Sequence, residues 1–173
     1  MLVKKRFYIA LVFVSLLLSS CSFIQGIVAV SPLLSLFGGG EDKPAPIATK
    51  SIELRNSIEL NSDFPLAIDI AFIFDSNLMK IVSTISARDW FSNRKQQFKR
   101  DYPLGLSIRE YELVPGGEQR HVEVSDKERV AISSFVFANY RKAGIHRARL
   151  DKIPSPIIRL SRETFSISSQ PQQ

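Results

Sequence analysis

Apolar and polar residues alternate along most of the chain beyond residue 50. Ile52, Leu54, Ile58 and Leu60 share one parity, with Asn56 the exception, while Ser51, Glu53, Arg55, Ser57 and Glu59 share the other. This is the pattern of a half-buried strand. After the turn Asn61-Ser62-Asp63-Phe64-Pro65 the alternation returns. Leu66, Ile68, Ile70, Phe72 and Phe74 take one face, and Ala67, Asp69, Ala71 and Ile73 take the other. The second strand is therefore expected to be more buried than the first. The period then becomes helical. Asp75 or Ser76 can cap a helix carrying Leu78, Ile81, Val82 and Ile85. Ser86 and Asp89 form a capping pair for a second helix running to about Arg100, although Glu or Gln is the usual residue at the latter site. Ala87, Phe91 and Phe98 make its buried stripe, with Trp90 on one border. Arg88, Arg94, Lys95, Lys99 and Arg100 make a basic outer side.

Strands resume at Leu104. Leu104, Leu106 and Ile108 share a parity that Tyr111 and Leu113 do not, and a bulge near Arg109 or Glu110 would reconcile them. Pro115-Gly116-Gly117 predicts a tight turn, and Val122 and Val124 mark a fourth strand. Residues 130–140 include the unbroken run Phe135-Val136-Phe137-Ala138, so both faces there are expected to be covered. Three short strands follow, at about 146–150, 157–160 and 164–167. About eight short strands predict an all-β fold, an antiparallel sandwich with one or two short helices inserted after the second strand and packed at one edge. This domain spans 51–168, and the polar residues 169–173 form a disordered tail.

The first fifty residues follow a different pattern. Lys4, Lys5 and Arg6 precede an apolar run from Phe7 to Leu18 broken only by Ser15. Such a run of about 12 residues is too short to cross a bilayer core of ~30 Å and fits the core of a secretory signal peptide. Leu18-Ser19-Ser20-Cys21 resembles the bacterial lipobox. The resemblance implies cleavage between Ser20 and Cys21, a diacylglycerol on the Cys21 sulfur and acylation of the new amino group. Two or three acyl chains make attachment nearly permanent. Ser22 stands where an inner-membrane lipoprotein of this type often carries aspartate, which favours the outer membrane, facing the periplasm. Residues 1–20 are then a removable leader and 21–50 a lipidated tether. The tether holds Pro32, Pro44, Pro46 and Gly38-Gly39-Gly40, and an apolar first half that includes Ile27, Leu33 and Phe37.

Charge and chemistry narrow the function further. The formal charge of +6 falls to +3 without Lys4, Lys5 and Arg6, so the mature chain is only mildly basic and carries no nucleic-acid signature. Cys21 is the sole cysteine, which leaves no thiol for a disulfide. No Gly-Lys-Ser/Thr follows the glycine run, and neither G-x-S-x-G nor H-E-x-x-H is present. His121 and His146 lack the partners and spacing of a metal site. No catalytic residue, cofactor, metal or small-molecule substrate is expected.

The order of segments resembles the outer-membrane lipoprotein of the type VI secretion membrane complex, the TssJ family. The matching stretches are Ser57-Ile58-Glu59-Leu60-Asn61, Ile68 to Phe74, Ala87-Arg88-Asp89-Trp90-Phe91, Glu112-Leu113-Val114-Pro115-Gly116 and Phe137-Ala138-Asn139-Tyr140-Arg141. His146-Arg147-Ala148 is similar to the family's Trp-Arg-Ala. The loop before the second strand is shorter than in the family, and the tether is longer and more apolar. The resemblance implies a transthyretin-like sandwich without enzymatic activity. It also implies a scaffold role: holding the periplasmic region of the large inner-membrane component at the outer membrane. The contact implicated in the family is the loop between the first two strands, here Asn61, Ser62, Asp63 and Phe64. Phe64 would either fill a partner's pocket or pack on the domain's own helices. Two alternatives remain: a pilotin escorting a secretin, and a lipid-anchored hydrolase.

Overall fold

Alternation in a chain with too few polar residues to face both strand surfaces to water leads to layered packing. The computed structural model describes residues 44–169. Its strands are β1 (Ser51–Asn56), β2 (Leu66–Ile73), β3 (Leu106–Leu113), β4 (Arg120–Glu123), β5 (Ser133–Ala138), β6 (Arg147–Arg149), β7 (Pro156–Leu160) and β8 (Phe165–Ser169). They form two four-stranded sheets, ordered β4-β1-β7-β8 and β3-β2-β5-β6. Every pairing is antiparallel except β1 with β7. The all-β sandwich expected from the sequence is present. Leader residues 1–20, tether residues up to 43 and tail residues from 170 lie outside the described residues. So does Cys21, the expected site of lipidation.

Four short helices accompany the sheets: α1 (Ser76–Val82), α2 (Ala87–Asp89), α3 (Lys95–Asp101) and α4 (Asp126–Arg129). A π-helical turn, Trp90–Arg94, joins α2 to α3. These two helices and α1 do not sit at an edge of the sandwich as expected. They cover the outer face of the β3-β2-β5-β6 sheet, where Leu78, Val82, Ala87, Trp90 and Phe98 pack on Ala71, Ile73, Phe135 and Phe137. The other face of that sheet, with Ile68, Ile70, Phe72 and Val136, meets Ile52, Leu54, Ile158 and Leu160 between the sheets. The molecule therefore has three layers, and every residue of β5 is buried.

Local chemistry fixes the helices. Asp75 caps α1 by accepting from the N–H groups of Asn77 and Leu78. Ser86 and Asp89 close a reciprocal capping box at α2, with aspartate in the place of glutamate. The π turn then changes which side chains face the sheet. An unbroken α-helix would send Phe91 inward and leave Trp90 at the border, as the sequence spacing predicts. The extra residue in one turn instead aligns Trp90, Lys95 and Phe98. Trp90 is fully buried, and its ring stacks on Phe137 at 4.3 Å between centroids and 2° between planes. Its Nε1–H donates to Asp69 Oδ2 at 2.8 Å, and Lys95 Nζ meets the same oxygen at 2.8 Å. Lys95 continues to Glu110, which Lys99 also contacts. Two of the five cations assigned to an outer basic side are thus used in binding α3 to the sheet.

Three further expectations change. β3 pairs with β2 residue for residue from Leu106↔Ile73 to Leu113↔Leu66, with no bulge. The parity of its apolar residues shifts because both faces are covered: Leu106 and Ile108 pack toward the helices, Tyr111 and Leu113 toward the other sheet. β1 ends at Asn56, so Ile58 is not a strand residue, and it is 78% exposed. The domain also begins earlier than residue 51. Ile47 and Thr49 are buried, the Ile47 N–H donates to the Ala131 carbonyl, and the Ala48 N–H donates to the Asp151 carbonyl. Residues 47–50, given to the tether by sequence, are part of the packed body.

On the side bounded by the edge strands β3 and β4, Arg109 Nε donates to Glu128 Oε1 at 2.7 Å. Glu128 also accepts from the N–H and O–H of Ser125 at the start of α4. Burial raises the Glu128 pKa, but Arg109 and Ser125 outweigh it and hold the carboxyl below its ordinary range. Glu110 is lowered by Lys99 and then Lys95. A carboxylate depressed in the folded state stabilises the fold above its unfolded-state pKa and loses that contribution as pH falls through the folded value. Unfolding free energy should therefore decline as pH is lowered through and below the ordinary glutamate value of 4.5. Glu128→Gln should flatten this decline in urea titrations run at a series of acidic pH values.

Candidate functional site

The strand order brings four connections to one end of the sandwich: β1–β2, β3–β4, β5–β6 and β7–β8. The registers Asn56↔Leu160, Leu66↔Leu113 and Ile68↔Ala138 place their strand ends together. The N-terminal segment reaches the domain at the opposite end, where Ser51 pairs with Glu123.

The β1–β2 loop is held in a defined shape. Its centre is the 3-10 turn Leu60–Ser62, with Leu60 fully buried. Asn61, Ser62 and Asp63 all take left-handed backbone angles, with φ of 48°, 55° and 69°. Asn tolerates this region better than most side chains. Asn61 also explains why the loop holds together. Its Nδ2 donates to the Pro65 carbonyl at 2.8 Å, its Oδ1 accepts from the Arg141 N–H at 2.9 Å, and its own N–H donates to the Ser161 carbonyl. Asn61 is 3% exposed. Its side chain is turned inward, binding three connections to one another, and it presents nothing to a partner. Ser62 is half-buried and Asp63 is exposed.

Phe64 is the residue that stands out. It is 49% exposed, and the Arg141 guanidinium lies 3.9 Å from its ring centroid. It does not join either buried cluster, so of its two expected placements, packing on the domain's own helices is not the one adopted. Ile58, and Val114 at 54% exposure, share this end. Ile58 leans over the β3–β4 turn, where Gly116 adopts φ +65° and donates its N–H to the Ser57 carbonyl. Sequence reasoning placed Ile58, Val114 and Arg141 in family-matching stretches but not in the candidate site. Ile58 was hidden by a parity that continued past the true end of β1. Arg141 gave a signal only as the close of the family-matching stretch Phe137–Arg141, directly after the buried Tyr140.

The two histidines lie apart in the fold. His121 is on β4 and contacts Glu123 at 2.8 Å, while His146 precedes β6 and contacts the Lys142 carbonyl. Among the described residues, no group of three or more His, Cys, Asp or Glu side chains is placed to hold a metal ion. Among those residues, no helix is long and apolar enough to cross a membrane.

The fold has solved counterparts. The type VI secretion lipoprotein TssJ1 from Pseudomonas aeruginosa superposes with a TM-score of 0.53 at 17% identity, over 76% of this chain and all of that one. The chain has the TssJ fold. A structure described as the C-terminal domain of the type VI secretion protein TssM from EAEC also superposes, with a TM-score of 0.53 at 15% identity, over 69% of this chain and all of that one. No protein-family model and no curated protein sequence matches the chain. The likeness is one of three-dimensional arrangement, retained where few residues coincide.

Proposed function

We propose that this chain is a non-catalytic lipoprotein of a type VI secretion membrane complex. It is cleaved between Ser20 and Cys21, acylated at Cys21 and held at the outer membrane, facing the periplasm. Its sandwich binds the periplasmic region of the large inner-membrane component of the complex through the loop end that carries Ser62, Asp63 and Phe64. The observation that carries this reading is the half-exposed Phe64 on a loop that Asn61 fixes, within a fold shared over the whole length of TssJ1. An aromatic on a loop that is already ordered loses little conformational entropy on binding. Ile58 and Val114 extend the apolar surface beside it, and the Arg141 cation adds a polar rim. Anchoring raises the effective concentration of the second contact, so a modest intrinsic affinity suffices.

Phe64→Ala should leave the melting curve nearly unchanged, because the ring is not part of either core. It should weaken capture of the partner by about 30-fold, the effect of losing ~2 kcal/mol at an aromatic anchor. The measurement is affinity for the periplasmic region of the inner-membrane component, after pull-down of the solubilised lipoprotein has recovered it. Unchanged affinity would move the contact away from this loop. Recovery of a secretin in the pull-down would instead favour a pilotin.

A further inference from the structure

The opposite end of the sandwich exposes apolar and basic side chains together. Leu104, in the connection from α3 to β3, is 92% exposed, and Val130, between α4 and β5, is 63% exposed. β3 and β5 both pair with β2. At a strand spacing of ~4.8 Å, the two connections stand about 10 Å apart on either side of the β2 terminus. A half-open, mainly apolar cleft of about 500 Å³ lies at the same end, lined in part by Pro44, Pro46, Met79 and Ile132, with Arg149 and Lys152 among its polar residues. Lys50, Lys127 and Lys152 are exposed there and have no salt-bridge partner among the described residues. Of the acidic groups of this region, Asp151 is engaged by Arg149, Glu128 by Arg109, Asp101 by Arg100 and Asp126 by Arg129, while Asp75 caps α1 and Glu123 contacts His121.

We propose that this end of the domain seats on an anionic phospholipid surface. Leu104 and Val130 enter the headgroup region, and Lys50, Lys127 and Lys152 meet lipid phosphates. Two features select a lipid surface over another protein. The unpaired lysines here, Lys50, Lys127 and Lys152, outnumber the carboxylates without a Lys or Arg partner, Asp75 and Glu123, and complement anionic headgroups. This is also the end at which the chain arriving from Cys21 reaches the body, at Pro44, a stretch of about 23 residues that spans at most ~80 Å. The inference rests on the anchored reading of Cys21. Its consequence is orientation: the domain does not tumble on its tether but holds Ile58 and Phe64 away from the bilayer.

The test uses the full mature chain, acylated at Cys21, in phosphatidylglycerol-containing vesicles doped with a quencher-bearing lipid. A fluorophore is placed on Val130→Cys or, at the other end, on Ile58→Cys. Both sites are exposed, and the acylated Cys21 does not compete for the label. Quenching should be about threefold greater at position 130 than at position 58. It should fall to the level of position 58 in neutral phosphatidylcholine vesicles and in the Lys127→Glu/Lys152→Glu background. Equal quenching at both positions, or quenching at 130 that ignores lipid charge and both lysines, overturns the proposal. Flotation of the same samples reads the anchor separately. A chain that floats with an unquenched probe at 130 keeps its anchor and loses the docking. A chain that fails to float refutes the anchor and with it the docking.

Discussion

Asp69→Ala should cost about 3–5 kcal/mol of stability, the range for removing one partner of a buried charge pair. With an m-value of ~1.5 kcal/mol/M, the urea midpoint should fall by about 2–3 M. Asp69 is 1% exposed in the middle of β2 and accepts from the Trp90 indole and the Lys95 ammonium, each at 2.8 Å. Removing the carboxylate leaves an indole N–H and a nearly buried ammonium without their shared acceptor. Those are the two groups that dock the π turn and α3 on the sheet, so near-ultraviolet signals from Trp90 should change with the midpoint. Asp69→Leu combined with Lys95→Met removes both charges together and should recover much of the loss, because replacing a whole buried pair by apolar groups is far less costly than halving it. A midpoint shift under about 0.5 M for Asp69→Ala would mean that apolar packing alone holds the helical layer.

Cys21→Ser should abolish retention at the outer membrane, the largest change in behaviour expected from any single substitution. Each buried methylene contributes ~0.8 kcal/mol, so loss of two or three acyl chains removes far more free energy than any contact on the domain's surface supplies. Fractionation of cells should show the product either unprocessed at the inner membrane or free of the outer membrane, and mass spectrometry should show no acyl adduct. The fold itself should be unaffected, since the packed residues begin near Ile47 and include no cysteine. A Cys21→Ser product that is still cleaved, still retained and still active in assembly would refute the anchor. The Asp69 and Cys21 substitutions therefore separate two questions, how the domain holds its helices and how the chain holds its place.

Strand existence was legible in the sequence where one face is dry and the other wet, and less so where both faces are covered. β1, β2, β5 and the three short strands at the end follow directly from apolar spacing. The sequence also indicated that β5 is buried on both sides, because Phe135, Val136, Phe137 and Ala138 leave no polar parity. β3 misled for a related reason. Its apolar residues change sides halfway along because its two ends serve different cores, and an alternation rule that assumes one dry face reads this as a bulge. The π turn was not legible, since no residue type announces it. Only its result, Trp90 and Lys95 converging on Asp69, reveals it. The candidate site at the loop end was only partly legible. The loop and its aromatic followed from the family resemblance, but Ile58, Val114 and Arg141 come from three separate segments, and only the fold brings them together. Asn61 lies in the loop implicated by the resemblance but plays a structural role, fixed by left-handed backbone angles that the sequence does not print.

β1 lies inside its sheet, between β4 and β7, and its two neighbours arrive roughly 70 and 100 residues later in the chain. If the chain is exported amino end first, as proposed, β1 is delivered long before either flanking strand. Until residues 120–123 emerge that segment has no strand to pair with, and until residues 156–160 follow it has only one, so the sheet closes late. Any truncation before Pro156 leaves β1 paired on one side only.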